Sequence, residues 1–163
     1  MTSDALTTLA TLIGAKLKAQ GLMLATAESC TGGWVAQAIT AIAGSSDWFE
    51  RGFVTYSNAS KQDMLGVSAA TLAAHGAVSE QTAQEMAAGA LRNSQAQVAV
   101  AITGIAGPSG GTPEKPVGTV CFAWVRSNGT PLAQTRSFEG DREGVRRQSV
   151  LAALQGVLAL LED

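Results

Sequence analysis

Leu22-Met23-Leu24-Ala25-Thr26-Ala27-Glu28-Ser29-Cys30-Thr31-Gly32-Gly33-Trp34 is the stretch on which the reading of this chain turns. Leu22 to Ala27 is a short apolar run of strand length, and a polar turn with two glycines follows it. A helix is expected from about Trp34 to Ile42, leading to Gly44. Strand, glycine turn and helix in that order are the opening of an α/β unit.

The pattern repeats on both sides of this stretch. Upstream, Leu6, Leu9, Ile13 and Leu17 fall at helical spacing, and Gly21 is a natural stop. Downstream, Phe53-Val54-Thr55-Tyr56 reads as a second strand. Ser57 or Ser60 can cap the helix that carries Lys61, Met64 and Leu65. Ser79 is a good N-cap, with Val78 placed to staple against Ala83. The helix it opens shows Ala83, Met86, Ala87, Ala90 and Leu91 on one face. Gln97 to Thr103 reads as a strand, and the loop Gly104-Ile105-Ala106-Gly107-Pro108-Ser109-Gly110-Gly111 follows. Val117 to Arg126 and Pro131 to Phe138 form a hairpin around Asn128-Gly129. A last helix from about Asp141 buries Val145, Val150, Leu154, Val157, Leu158 and Leu161. Strands alternating with helices, plus one hairpin, predict an α/β fold, a three-layer α/β/α sandwich with a mixed sheet, as one domain over 1–163. The segment from Ser109 to Pro116 is expected to be exposed and mobile.

Composition narrows the function. The chain has 163 residues, 46% of them hydrophobic and 15% charged, with 18 glycines and a net charge of −2. With a pI near 5.4 it lacks the basic footprint of a nucleic-acid binder. The apolar stretch from Val150 to Leu161 is too short to span a bilayer. The start Met1-Thr2-Ser3-Asp4 lacks the features of a signal peptide, so neither nucleic acid nor membrane is an expected partner, and a cytoplasmic location is. Two cysteines, Cys30 and Cys121, and one histidine, His75, make a zinc site improbable. A disulfide between the two cysteines is geometrically conceivable but unsupported.

Open α/β sheets hold ligands at the carboxyl ends of their strands. Three polar segments fall at such ends: Glu28 to Gly33, Tyr56-Ser57-Asn58, and Thr103 to Pro108. The first precedes a helix N-terminus, where unpaired amides suit a phosphate or an oxyanion. It matches neither the phosphate loop, having no lysine after Gly33, nor the G-x-S-x-G elbow, having Ala27 at the first glycine position. Ser29 and Cys30 are rival nucleophiles in it. His75 reads as a residue at a helix end, and Lys61, near a helix start on the same rim, is the other base available. A lysine on its own reads as a solvated surface charge. Tyr56 is a pocket wall or hydroxyl donor, and Thr103 and Gly104 can add a hydroxyl and an amide. Glu28 caps the loop or orders Ser29. Arg142, Arg146 and Arg147 cluster at a helix start. Arg142 can form a fork for a phosphate or carboxylate, whereas Arg146 and Arg147 read as exposed, with pairing to Glu143.

These motifs resemble the CinA C-terminal-domain family. The resemblance rests on Thr26 to Gly33, Gly44-Ser45-Ser46-Asp47-Trp48-Phe49, Gly52 to Asn58, Gly76-Ala77-Val78-Ser79, Thr103 to Pro108, Lys115 to Val120 and Gly140-Asp141-Arg142, in order along nearly the whole chain. Longer CinA proteins carry an added N-terminal domain. The resemblance implies a five-stranded, mostly parallel mixed sheet and a homo-oligomer, for which a dimer is expected. It implies hydrolysis of the carboxamide of nicotinamide mononucleotide to nicotinate mononucleotide and ammonia, a step of pyridine-nucleotide recycling, with no cofactor and no metal. A Ser–Lys dyad then maps onto Ser29 and Lys61, with Tyr56 assisting. Cys30, Thr31, Gly32, Ser57, Thr103 and Gly104 would surround the oxyanion and substrate, and Arg142 would meet the phosphate. A non-catalytic nucleotide- or phosphate-binding module, or a thiol hydrolase using Cys30, are the alternatives.

Overall fold

In a computed structural model the described residues are 2–162, with side chains from residue 5 onward. Along them run α1 (Thr2–Gln20), β1 (Leu24–Glu28), α2 (Trp34–Thr40), a 3-10 turn (Ser45–Asp47), β2 (Phe49–Val54), α3 (Asn58–Leu65), α4 (Ala69–His75), α5 (Glu80–Arg92), β3 (Val98–Gly104), β4 (Thr119–Arg126), β5 (Leu132–Ser137) and α6 (Arg142–Glu162). The strands form one sheet in the order β2-β1-β3-β4-β5. β1 is parallel to both β2 and β3, whereas β4 is antiparallel to β3 and β5 to β4. The expected three-layer α/β sandwich with a mixed five-stranded sheet is what forms. Among the described residues no helix is long and apolar enough to cross a membrane.

The two faces of the sheet differ in bulk. Val98, Val100, Ile102, Val120, Phe122 and Trp124 face the layer of α1, α2 and α6. There Phe122 and Trp124 stack at 5.5 Å between ring centroids, and the Trp124 indole donates to the Ala153 carbonyl of α6. The opposite face carries Ala25, Ala27, Ala99, Ala101, Cys121 and Ala123, with α5 laid across it. Short side chains let α5 approach closely, and α5 in turn sets α3. A Cβ at Gly89 would overlap the Leu65 carbonyl oxygen, so the two helices meet backbone to backbone.

The winding determines where a ligand can go. The connection from β1 to β2 runs through α2 on one face. The return from β2 to β3 passes through α3–α5 on the other. The carboxyl ends of β1 and β3 therefore flank the point where the winding reverses, which is where open α/β sheets leave a crevice.

Several boundaries differ from expectation. β2 starts four residues before Phe53 and ends at Val54. It is an edge strand with a register irregularity between Leu24 and Ala25, so its exposed Arg51 and Gly52 give little strand signal. Tyr56 lies beyond the strand, because Ser57 and Ser60 form a capping box that starts α3 at Asn58. α2 stops at Thr40 rather than Ile42. The segment from Ser109 to Pro116 is largely exposed as expected, but it is tied down where Lys115 Nζ donates to the His75 carbonyl at 2.6 Å. Ser79 caps α5, and Val78 packs on the cluster that holds Ala83.

Gly89→Ala should destabilise the fold by on the order of 1–3 kcal/mol, the usual cost of overpacking, as read by urea denaturation. A cost below about 0.5 kcal/mol would mean that α3 and α5 can separate freely.

Candidate active site

Ser29 follows directly on β1. Its amide donates to the Ile102 carbonyl of β3 at 2.9 Å, continuing the β1–β3 ladder one residue past the strand. The turn then needs left-handed backbone at Gly32 (φ 58°) and Gly33 (φ 104°), which non-glycine residues adopt at a cost. Gly32 donates to the Ser29 carbonyl at 3.0 Å, closing the turn. Gly33 gives α2 no capping side chain, and Glu28 supplies it from the strand instead. The Glu28 carboxylate accepts the Val35 and Ala36 amides at 2.9 and 3.0 Å and the Thr31 hydroxyl at 2.6 Å. These are the second and third amides of the helix, the ones a capping Ser or Asp satisfies. A negative charge there also meets the positive end of the helix dipole.

Lys61 enters from the first turn of α3. It is the largest of the fully buried side chains, at 1% exposure, and Ser29 is 7% exposed. Nζ donates to Ser29 Oγ at 3.1 Å and to the Thr55 carbonyl at 2.8 Å. Among the described residues no carboxylate lies within ion-pair distance of it. Burial therefore holds the Lys61 ammonium below the usual lysine pKa, opposed by a lesser effect of Cys30. The Cys30 thiol goes the other way. Burial, ahead of its other neighbours, pushes it up to about 12, so it stays protonated at neutral pH and is a poor nucleophile. Cys121 lies in β4, and both cysteines are free.

A cleft of about 340 Å³ opens above this pair. Cys30, Thr103, Gly104, Tyr56 and Arg142 border it with Ser29 and Lys61, bringing together residues from all three strand ends. Asn58, Ala77, Val78 and the 105–110 loop complete the wall; Asn58 and the loop belong to the strand-end segments, whereas Ala77 and Val78 come from a segment that carried the family resemblance and was given no site role. Among the described residues the Cys30 amide reaches no backbone carbonyl. Thr103 spends its hydroxyl proton on the Ala77 carbonyl at 2.9 Å. Arg142 donates to the Gly107 carbonyl at 2.7 Å and to the Tyr56 hydroxyl at 3.1 Å, so Tyr56 is coupled to Arg142 rather than to Ser29 or Lys61.

Three expected site residues lie outside the cleft. Ser57 is occupied with capping α3, Thr31 is wholly buried against Glu28, and Gly32 shapes the turn from behind. His75 ends α4 at the surface, away from Ser29. Arg147 pairs with Glu143 at 3.1 Å as expected. Arg146 does not follow that expectation. It is half-buried and donates to the Cys30 and Thr31 carbonyls at 3.0 and 3.1 Å. Its spacing of four from Arg142 was the available signal, since it puts both on one side of the helix.

The chain is similar over nearly its whole length to known proteins. Residues 6–161 match the model of the CinA C-terminal domain. The nicotinamide-nucleotide amidohydrolase PncC of Escherichia coli K12 is 57% identical over 155 residues, covering 95% of this chain and 94% of that protein. The protein of the same name from Pseudomonas putida is 52% identical over 157 residues, covering 96% and 98%. The crystal structure of competence/damage inducible protein CihA from Agrobacterium tumefaciens superposes with a TM-score of 0.94 at 50% identity, covering 98% of this chain and 96% of that one.

The lowered Lys61 pKa makes a stability prediction. Below pH 10.5 the unfolded chain binds the Lys61 proton more tightly than the folded one, so stability rises with pH across the interval between the two values. Lys61→Met removes that dependence. It should stabilise the fold at pH 7, with the gain shrinking as pH approaches 10.5. Denaturation curves at several pH values test this, and a gain that grows with pH would contradict it.

Proposed function

The chain belongs to the CinA C-terminal-domain family, and from that membership we propose that it hydrolyses nicotinamide mononucleotide to nicotinate mononucleotide and ammonia, with Ser29 as nucleophile and Lys61 as base. The observation that carries the chemistry is the buried Lys61 amine 3.1 Å from Ser29 Oγ, without a carboxylate partner. A lysine kept for structure alone would be held by an ion pair or reach solvent. The names of the relatives supply the substrate, and a cleft of about 340 Å³ is within the range of small-molecule sites.

The steps follow from the geometry. With Lys61 neutral, its lone pair accepts the Ser29 proton while Oγ attacks the carboxamide carbon, and the Thr55 carbonyl keeps the amine oriented. The carbonyl oxygen becomes an oxyanion, which the Cys30 amide stabilises. As the tetrahedral species collapses, the C–N bond breaks and Lys61 returns the proton to the nitrogen, releasing ammonia. Water then attacks the acyl carbon, giving its proton to Lys61, and Ser29 leaves with that proton as nicotinate mononucleotide departs. Arg142 at the mouth uses two of its five N–H groups on Gly107 and Tyr56, leaving donors for the phosphate. The raised Cys30 pKa disfavours thiol catalysis, and a bare phosphate-binding module gives no reason to bury an unpaired lysine beside a serine.

Ser29→Ala should keep the fold and lower ammonia release from nicotinamide mononucleotide by at least about 10³-fold. Near-normal turnover would end the serine assignment. In the unmodified protein kcat/KM should rise with pH as Lys61 loses its proton, with the midpoint below the free-lysine value of 10.5. A chelator should leave the rate unchanged.

Arg142→Met should raise KM for the nucleotide about 10- to 100-fold, the worth of a charged hydrogen bond. The dephosphorylated nucleoside should be affected far less. Equal losses on both would remove Arg142 from phosphate binding.

A further inference from the structure

Arg146 lies behind the nucleophile turn, outside the cleft, and holds that turn by two carbonyls. Nε donates to the Cys30 carbonyl and Nη2 to the Thr31 carbonyl, at 3.0 and 3.1 Å. Thr31 also receives the Trp34 amide, but no backbone amide outside the regular elements donates to the Cys30 carbonyl. The guanidinium carbon lies over the Trp34 ring, 5.4 Å from its centroid, and Arg147 lies over the same ring at 5.3 Å.

Cys30 thus has two sides. Its amide belongs to the peptide unit shared with Ser29, whose carbonyl is held by Gly32; among the described residues it has no backbone acceptor, and Cys30 borders the cleft. Its carbonyl is turned away and fixed by Arg146. A peptide unit is planar, so pinning the carbonyls on either side of Cys30 leaves its amide little freedom to swing. One planar, two-pronged donor does this in a way a single ammonium cannot.

We propose that Arg146 is a positioning residue, which aims the Cys30 amide at the oxyanion and keeps Ser29 Oγ in line with Lys61 without touching substrate. This rests on the hydrolytic reading above. Arg146→Gln should lower kcat about 10- to 100-fold, the usual consequence of misplacing a reacting group by about an ångström, while KM stays within about threefold. Arg146→Lys should recover only a minor part, because it cannot reach both carbonyls at once. Each variant is assayed well below its own melting midpoint. Losses that vanish there, or that appear in KM rather than kcat, would reduce Arg146 to a structural contact and overturn the proposal.

A second readout does not depend on the substrate. The rate at which a fluorophosphonate labels Ser29 reports both the activated serine and its oxyanion donor. Labelling should slow at least about tenfold in Arg146→Gln and be restored less than halfway in Arg146→Lys. Unchanged labelling overturns the positioning role. If the unmodified protein labels normally but releases no ammonia from the nucleotide, the substrate assignment fails while the role of Arg146 is still decided by the labelling rates. If Arg146→Gln does not fold, the Arg146→Lys rates decide alone, and normal values overturn it.

Discussion

Lys61 places an amine in the interior with two neutral oxygens for company, Ser29 Oγ and the Thr55 carbonyl. Desolvation works against the ammonium and much less against the neutral amine, so the environment itself favours the proton-accepting form that the proposed mechanism needs. The arrangement depends on keeping carboxylates away. Glu28 is next to Ser29 in sequence and as deeply buried as Lys61, yet its oxygens are occupied by Thr31, Val35 and Ala36. Facing Lys61, that carboxylate would stabilise the ammonium and oppose the neutral amine of the proposed mechanism. Facing α2, it ends the strand, starts the helix and leaves the lysine unpaired.

Holding a buried amine 3.1 Å from a hydroxyl requires two elements from different parts of the chain to meet reproducibly. Ser29 is set by the β1–β3 ladder, through its own amide on Ile102. Lys61 is set less directly, through α3, then α5, then the alanine-rich face of the sheet. The bulky face, with Phe122 and Trp124 against α6, supplies most of the large apolar burial. The small face supplies precision, since backbone-to-backbone contact at Gly89 and Leu65 leaves α3 little room to drift. Bulk on one side and close approach on the other explain the abundance of alanine and glycine better than either alone.

The fold was legible from the sequence because its elements are punctuated: Gly21, the Gly32-Gly33 pair, Ser57, Ser79 and Asn128-Gly129 each mark a boundary by local chemistry. β2 was misplaced because an edge strand half open to solvent has no apolar alternation to read. At the site, the strand-end rule brought the right loops together, but side-chain direction was hidden. Nothing local distinguishes Ser57, which caps a helix, from a substrate contact, or tells that Thr31 turns inward to Glu28. Lys61 was a base available on the same rim but by itself read as a surface charge, and only the family resemblance favoured the base. Its burial depends on contacts with Ser29 and Thr55, and Thr55 is outside its own helix.

Arg142 and Arg146 show how one helix can relate the two ends of a cleft. Asp141 accepts the Gly144 amide at 2.8 Å and so fixes where α6 begins, which puts Arg142 in its first turn. One turn later, about 6 Å along the axis, Arg146 reaches the back of the nucleophile turn. Val145, Ser149 and Val150 are buried immediately beside them, so the first turns of α6 cannot shift without disturbing the core. The spacing between the group that would hold a phosphate and the turn that carries Ser29 is therefore set by a rigid helix rather than by loops. On the proposed mechanism a substrate anchored at the mouth is measured against that ruler, and only one whose carboxamide lies at the matching distance would meet Ser29 in line with Lys61.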